Sequence, residues 1–287
     1  DDGFYSMMIG ATDMGTGCDT ILAQMAADCL DTYVDNIVVY GVDTDISPYD
    51  SGSYASSTTY LTGNATIKTC QMLREKIIAA GAEMLEIDIE DADFDGEKVY
   101  SVKEEKSITL KDIANNVMCY SNHTLTATAK EKTPVSPPPY MAGAVEIELD
   151  KETGHVEIID YATCVDCGTV INPALATVQT EGGLVQGIGM ALYEDVQYDK
   201  RGRILNDSFM QYKIPTRLDM GKIRVEYESS YEPSGPFGAK SIGELVINTP
   251  SPALCHAIYN ASGVWINELP MTSEKIAMGI LKNNLEA

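Results

Sequence analysis

The residues best placed to do chemistry lie between Ser234 and Pro250, where one carboxylate, Glu244, follows three glycines, Gly235, Gly238 and Gly243. Glycine lets the backbone take positive φ or approach a ligand closely. Around the carboxylate stand Ile242, Leu245, Val246 and Ile247. Among them it would be desolvated, and desolvation raises proton affinity, which suits a base working near neutral pH. On this stretch alone, the reading to prefer is the ordinary one, a first-turn acid at the positive end of a helix.

A second constellation centres on Gln186. The apolar spacing predicts a helix over 174–193, yet it contains Gly182, Gly183, Gly187 and Gly189. Each interior glycine costs about 0.8–1 kcal/mol relative to alanine, so close packing or a ligand must offset the loss. Positions three and four residues from Gln186 are Gly182, Gly183, Gly189 and Met190, which sets an amide with two donors and an acceptor on a bare helical surface. That surface suits either a polar planar ligand or tight helix packing, because small-residue stripes also serve packing.

Two loops add backbone donors. Gly10-Ala-Thr-Asp-Met-Gly-Thr-Gly-Cys-Asp-Thr20 joins a strand, 4–9, to a helix, 21–30, and so aims N–H groups from the helix start outward, as for a phosphate. Its spacing matches neither the Rossmann fingerprint nor the P-loop, and by itself such a junction is more often a structural turn. The hydroxyl-rich run from Ser51 to Asn64, containing Ala55, Ser56 and Ser57, precedes a helix over 65–84; such a run is either a solvated loop or a surface that donates several hydrogen bonds. Cys164 and Cys167 form a lone C-x-x-C without a second pair, and His123, His155 and His256 are not at zinc-finger spacing from it, so no protein metal site is expected.

The elements that must position these groups follow from the alternation of apolar residues. Strands are expected over 35–42, 85–89, 99–102 and 125–129, with a short helix after Thr109. The proline-dense 130–140 stretch is extended and marks the expected boundary between an α+β subdomain over 1–135 and a second over 136–287. The second opens as a hairpin, 142–149 and 156–164, and carries a strand over 223–227 and helices over 251–261, stopped by Gly263, and 273–282. Trp265 is expected to pack. Asp1-Asp2-Gly3 reads as a hairpin turn whose first strand is not in this sequence.

Composition bounds the function. Of 287 residues, 43 are acidic and 20 basic, and a net charge of −23 repels nucleic acid and anionic membrane surfaces. The seven scattered cysteines suit a reducing compartment, and no run approaches the ~20 apolar residues of a membrane span, so a cytoplasmic protein is expected.

Taken together, Asp13-Met-Gly-Thr-Gly17, Ala55-Ser-Ser57, Gly63-Asn-Ala65, Asp166-Cys-Gly-Thr-Val-Ile-Asn-Pro173, Gly183-Leu-Val-Gln-Gly-Ile-Gly189 and Gly238-Ala-Lys-Ser-Ile-Gly-Glu244 resemble, in order, the C-terminal part of the molybdenum-binding subunit of the xanthine dehydrogenase and aldehyde oxidase family. The resemblance implies two mixed α+β subdomains of molybdopterin-binding type. It also implies a hydroxylase that inserts a water-derived oxygen into an N-heterocycle of purine or nicotinate type, with Glu244 as base and with Gly15, Gly17, Ala55, Ser56, Ser57, Gln186 and Lys240 at or beside cofactor-contacting positions. The implied cofactor is molybdopterin with molybdenum, in the cytosine dinucleotide form, its metal held by the pterin dithiolene. FAD and [2Fe-2S] clusters fall to partner chains, alongside the N-terminal half of the molybdenum subunit, which some relatives such as nicotinate dehydrogenase carry on a separate polypeptide. The chain is then expected to be inactive alone. Thr16 stands where the family usually has glutamine. A scaffold subunit that has kept the fold without catalysis is the alternative, and the joint presence of Gln186 and Glu244 speaks against it.

Overall fold

The computed structural model describes residues 4–120, 125–132 and 135–286. Each of its two compact units mixes helices with sheet. The first comprises Asp1–Pro137 with Tyr231–Ser241, the second Pro138–Ser230 with Ile242–Ala287. A single boundary near 135 therefore misses one feature: Tyr231–Ser241, part of the glycine-rich stretch, packs in the first unit. The turn signal at 1–3 lies outside the described residues.

In the first unit, β1 (Tyr5–Met8), α1 (Cys18–Cys29) and β2 (Ile37–Tyr40) form a strand-helix-strand crossover whose strands pair in parallel. The alternation Tyr5, Met7, Ile37, Val39 turns one face toward Ala23, Ala26, Ala27 and Leu30 of α1 and toward Cys70 and Leu73 of α2 (Gly63–Leu85). Helix α2 starts from a widened π-type turn over Thr58–Thr62 and stops where Glu86 takes a left-handed φ of 53°. That stop accounts for the strand expected over 85–89: Leu85 is helical, and the chain beyond continues through a short 3-10 turn, Ile89–Asp91. A meander follows, β3 (Ala92–Phe94), β4 (Lys98–Ser101) and β5 (Ser107–Thr109), which packs Phe94 and Val99 on Ile77 beside Leu110 and Ile113 of α3 (Leu110–Tyr120). The stretch 125–129, expected as a strand, forms no ladder; the Lys76 ammonium instead donates to the Thr126 carbonyl at 2.6 Å.

In the second unit, β6 (Tyr140–Leu149) and β7 (Val156–Asp166) form an antiparallel hairpin with a bulge at Glu146/Ile147, and β8 (Lys222–Tyr227) adds in parallel to β7. The crossover carries α4 (Pro173–Leu192), which starts with Asn172 accepting the Leu175 N–H at 3.1 Å and with Pro173 where no N–H is needed. Leu184, Ile188 and Leu192 of α4, Leu254 and Ile258 of α5 (Pro250–Ser262), and Ile276 of α6 (Ser273–Glu286) close the core over Ile158 and Tyr161. Helix α5 ends at Gly263, whose φ of 73° and N–H bond to the Tyr259 carbonyl give the expected stop. Trp265 packs its ring against His256 and Tyr259 but stays about half exposed.

Candidate functional site

The sequence-selected residues divide between the units. Gly15, Gly17, Ala55, Ser56, Ser57 and Lys240 belong to the first, Gln186 and Glu244 to the second.

In the first unit the glycine loop does not aim its N–H groups outward. Asp13 Oδ1 accepts from the N–H groups of Gly15 at 2.9 Å and Gly17 at 3.1 Å, and Oδ2 accepts from that of Asp19 at 3.3 Å. The positive φ of Gly15, 95°, and of Gly17, 75°, fold the loop around this carboxylate. Desolvation pushes the Asp13 carboxyl up, but the converging N–H groups outweigh it and hold the group below the ordinary carboxylate range. An internal anion thus takes the position at the start of α1 that the sequence offered to a phosphate. Sequence reading missed Asp13; the signal was an aspartate two and four residues before the glycines, the spacing of a side chain that bonds its own loop. Asp13, Cys18 and Asp19 also bring one ligand atom each within 4.8 Å of one another, a spacing compatible with a metal ion, but Asp13 is already engaged by backbone donors.

The hydroxyl-rich loop is strained where the sequence selected it. Ala55 and Ser56 are consecutive non-glycine residues with left-handed φ, 52° and 53°. Such pairs are held only when the surroundings over-determine them. Here the Ser57 hydroxyl donates to the Gly52 carbonyl at 3.1 Å and that of Thr58 to Ser53 Oγ at 2.7 Å. Beside these loops, a cavity of about 410 Å³ is lined by Gly10, Thr12, Met14, Pro48, Asp50 and Ser53 among others. A side chain at Gly10 would collide with the Pro48 carbonyl and with Asp50 at 2.8 Å, so the two walls close only over glycine.

Tyr231–Ser241 is sewn to α2 and its leading turn. The Tyr60 hydroxyl donates to Ser234 Oγ at 2.6 Å, Asn64 Nδ2 donates to the Ser234 carbonyl at 3.0 Å, and Gly63 leaves room for Pro236. Lys240 is buried. Glu232 lies below the ordinary carboxylate range, first through the Ser234 hydroxyl and N–H, with the Lys240 charge adding to them.

In the second unit the glycines of α4 separate by task. A Cβ at Gly183 would overlap Val246, one at Gly187 would sit 2.7 Å from Pro250 Cγ and 2.9 Å from the Ile247 carbonyl, and one at Gly189 would overlap Glu194. Those three are packing glycines. Gly182 has nothing within 4 Å of its Cβ position and is exposed. Gln186 and Met190, one and two turns on, are exposed too, so the amide stands on an open strip beside one bare turn of backbone.

Glu244 does not lie in an apolar enclosure. It is exposed at the head of a 3-10 turn, Leu245–Ile247, in which only Val246 is buried. The physical reason is geometric: the close approach at Gly183 and Gly187 draws Val246 and Pro250 onto α4, and a carboxylate two residues before Val246 is left at the rim. The C-x-x-C residues likewise part, Cys164 exposed on β7 and Cys167 buried. No described helix is long and apolar enough to cross a membrane.

Comparisons with known proteins agree with this architecture. The family model described as the molybdopterin cofactor-binding domain matches residues 1–221. A probable hypoxanthine oxidase of Escherichia coli K12 is 34% identical over 286 residues, covering 98% of this chain and 30% of the relative. The gamma subunit of the 6-hydroxypseudooxynicotine dehydrogenase complex of Paenarthrobacter nicotinovorans is 33% identical over 283 residues, covering 96% of this chain and 36% of that one. Among solved structures, quinoline 2-oxidoreductase from Pseudomonas putida 86 superposes with a TM-score of 0.86 at 27% identity, over 96% of this chain and 36% of that chain. Carbon monoxide dehydrogenase from Oligotropha carboxidovorans gives 0.83 at 26% identity, over 96% and 35%. The chain thus spans about a third of the length of such relatives. Its fold, its motif order and these matches place it in the molybdopterin cofactor-binding domain family, as part of a molybdenum-binding subunit of the xanthine dehydrogenase and carbon monoxide dehydrogenase type.

Proposed function

We propose that this chain is the cofactor-holding and proton-accepting part of a molybdenum hydroxylase that acts on an N-heterocycle. One observation carries the reading: the packing glycines Gly183 and Gly187 fix the turn headed by Glu244 against α4, while Gln186 on the same helix stays open beside bare Gly182. The relatives named for hypoxanthine and for quinoline support a ring nitrogen in the substrate, whereas carbon monoxide shows that the scaffold also serves a different chemistry.

The residues present fit a pterin cofactor. Gln186 offers both donor and acceptor, Gly182 an uncovered turn, and the strained Ala55–Ser56 pair and the Ser57 hydroxyl a polar loop. Gly15 would contribute bare surface, because the N–H groups of Gly15 and Gly17 belong to Asp13 and the Gly17 carbonyl accepts the Ile21 N–H at 3.1 Å. Buried Lys240 adds positive charge to the first unit, where it bears on Glu232. In this reading the two units are two molybdopterin-binding subdomains, the second holding the base. When bound, the molybdenum centre supplies the oxygen-transfer and two-electron chemistry. Glu244 receives the proton released from the oxygen nucleophile, its carboxylate oriented by the turn that Val246 anchors. Gln186 positions the cofactor's polar edge.

The cytosine dinucleotide form and the FAD and [2Fe-2S] partners belong to the same proposal, and one relative is by name a subunit of a complex. Exposure of Glu244 supports a further part of it: among the described residues no apolar enclosure tunes the carboxylate or excludes water, so isolated polypeptide turns over no substrate. The test is Glu244→Gln in the assembled enzyme. Hydroxylation of hypoxanthine or quinoline should fall by about 10²–10⁴-fold, the range for removing a general base, with molybdenum and pterin content unchanged. Unchanged turnover rejects the base; absence of molybdenum and pterin from a well-folded assembly rejects the cofactor reading.

A further inference from the structure

A base must keep one orientation from one turnover to the next, so the exposed turn headed by Glu244 needs fixed points. Two lie on α4: Val246 fills the space at Gly183, and the Ile247 carbonyl and Pro250 fill that at Gly187. A third lies on the sheet. Tyr161 of β7 is fully buried, and its hydroxyl donates to Thr249 Oγ1 at 2.9 Å, while the Thr249 hydroxyl donates weakly to Met141 Sδ at 3.7 Å. Desolvation pushes the Tyr161 phenol above its ordinary range, against a smaller opposing effect of the Thr249 bond, so it stays a protonated donor. Strand β6 makes room for the pair at Gly143, where a Cβ would lie 2.5 Å from Tyr161 Oη and 2.8 Å from Thr249 Oγ1. Thr249 makes no side-chain cap at the start of α5, so its hydroxyl is committed to the sheet rather than to the helix that follows. All these residues belong to the second unit.

We infer that Tyr161 is a positioning residue for Glu244: through Thr249 it holds the sheet side of the 244–250 turn and so sets the direction of the carboxylate. The inference rests on the proposed reading of Glu244 as the base. The 3-10 turn Leu245–Ile247 has three residues and is closed by one backbone bond, from the Asn248 N–H to the Leu245 carbonyl at 3.1 Å. So short a turn does not hold itself. Val246 stands two residues after Glu244 and three before Thr249, so a pivot about that anchor moves both ends together. Contacts with α4 are apolar and restrain one side, whereas the Tyr161 bond is directional and lies in a dry interior where no solvent takes its place.

The test deletes only the hydroxyl, with Tyr161→Phe. Thr249→Val removes the same bond from its other end, and the double variant completes a cycle. Hydrogen exchange in the assembled enzyme, read by mass spectrometry, should speed several-fold at the Asn248 amide in either single variant and by no more in the double one, with the β6–β7 ladder unchanged. In the same preparations kcat should fall by about 10–10²-fold, the order for a small misplacement of a reacting group, with KM, molybdenum and pterin content unchanged. Unchanged exchange at Asn248, gains that add in the double variant, or a loss of activity carried by KM or by cofactor content overturns the inference. Glu244→Gln measured beside them separates the two levels. Full turnover in that variant rejects the base and the positioning role with it, whereas lost turnover there beside wild-type kcat in Tyr161→Phe rejects the positioning role alone.

Discussion

Asp13 shows how one side chain redirects a motif. Because its carboxyl is held below the ordinary range, the loop's stabilisation is fully present above the unfolded value near ~3.9 and is lost as pH falls through the lower folded value. Asp13→Ala should cost about 0.5–1 kcal/mol, the lower part of the range for losing a helix-start acceptor, since the group is exposed. Thermal melts of wild type and variant from pH 7 to pH 2.5 should differ at neutral pH and converge at the acid end; a constant gap would exclude the carboxylate as its source. The residues that matter were legible as types, less so as environments. Glu244 and Gln186 stood out because an acid after glycines and an amide amid glycines are unusual. Burial of Glu244 was inferred from its neighbours' polarity, and that inference failed because a turn exposes residues that a strand or helix would have enclosed.

At the scale of elements, helix α4 separates two uses of glycine. Gly187→Ala gains helix propensity of about 1 kcal/mol but presses a methyl into Pro250 and the Ile247 carbonyl, an overpacking of about 1–3 kcal/mol, so it should lower the melting temperature. Gly182→Ala meets nothing within 4 Å and should raise it by the propensity gain alone. If Gly182 also touches the cofactor, the stabilised variant should retain less pterin, and differential scanning calorimetry paired with pterin assay reads both effects. Long helices and the β6–β7 hairpin were readable from periodicity, a capping Asn-Pro and a terminal glycine. Short strands were not: β3 and β5 have three residues each, too few to show a period, and 85–89 alternates like a strand while its first residue closes a helix.

For the whole molecule, 23 uncompensated negative charges oppose compaction. Sodium chloride raised from about 0.01 M to about 0.15 M shortens the screening length from roughly 30 Å to 8 Å, so the melting temperature should rise with salt. A flat response in fluorimetric melts would mean that local pairing, such as Arg224 with Asp160 at 2.7 Å, already balances the field. Composition made this charge legible. The assignment of Tyr231–Ser241 to the first unit was not, because a segment 170 residues from its partners leaves no local mark on either side.

That segment also sets an order of events during synthesis. The first unit lacks the Ser234 bonds to Tyr60 and Asn64 until Ser234 has left the ribosome, by which time the β6–β7–β8 sheet and α4 of the second unit have already been made. Of the two units, the one whose larger segment is made earlier is completed late, its bonds at Tyr60 and Asn64 unmade while the second unit's sheet forms.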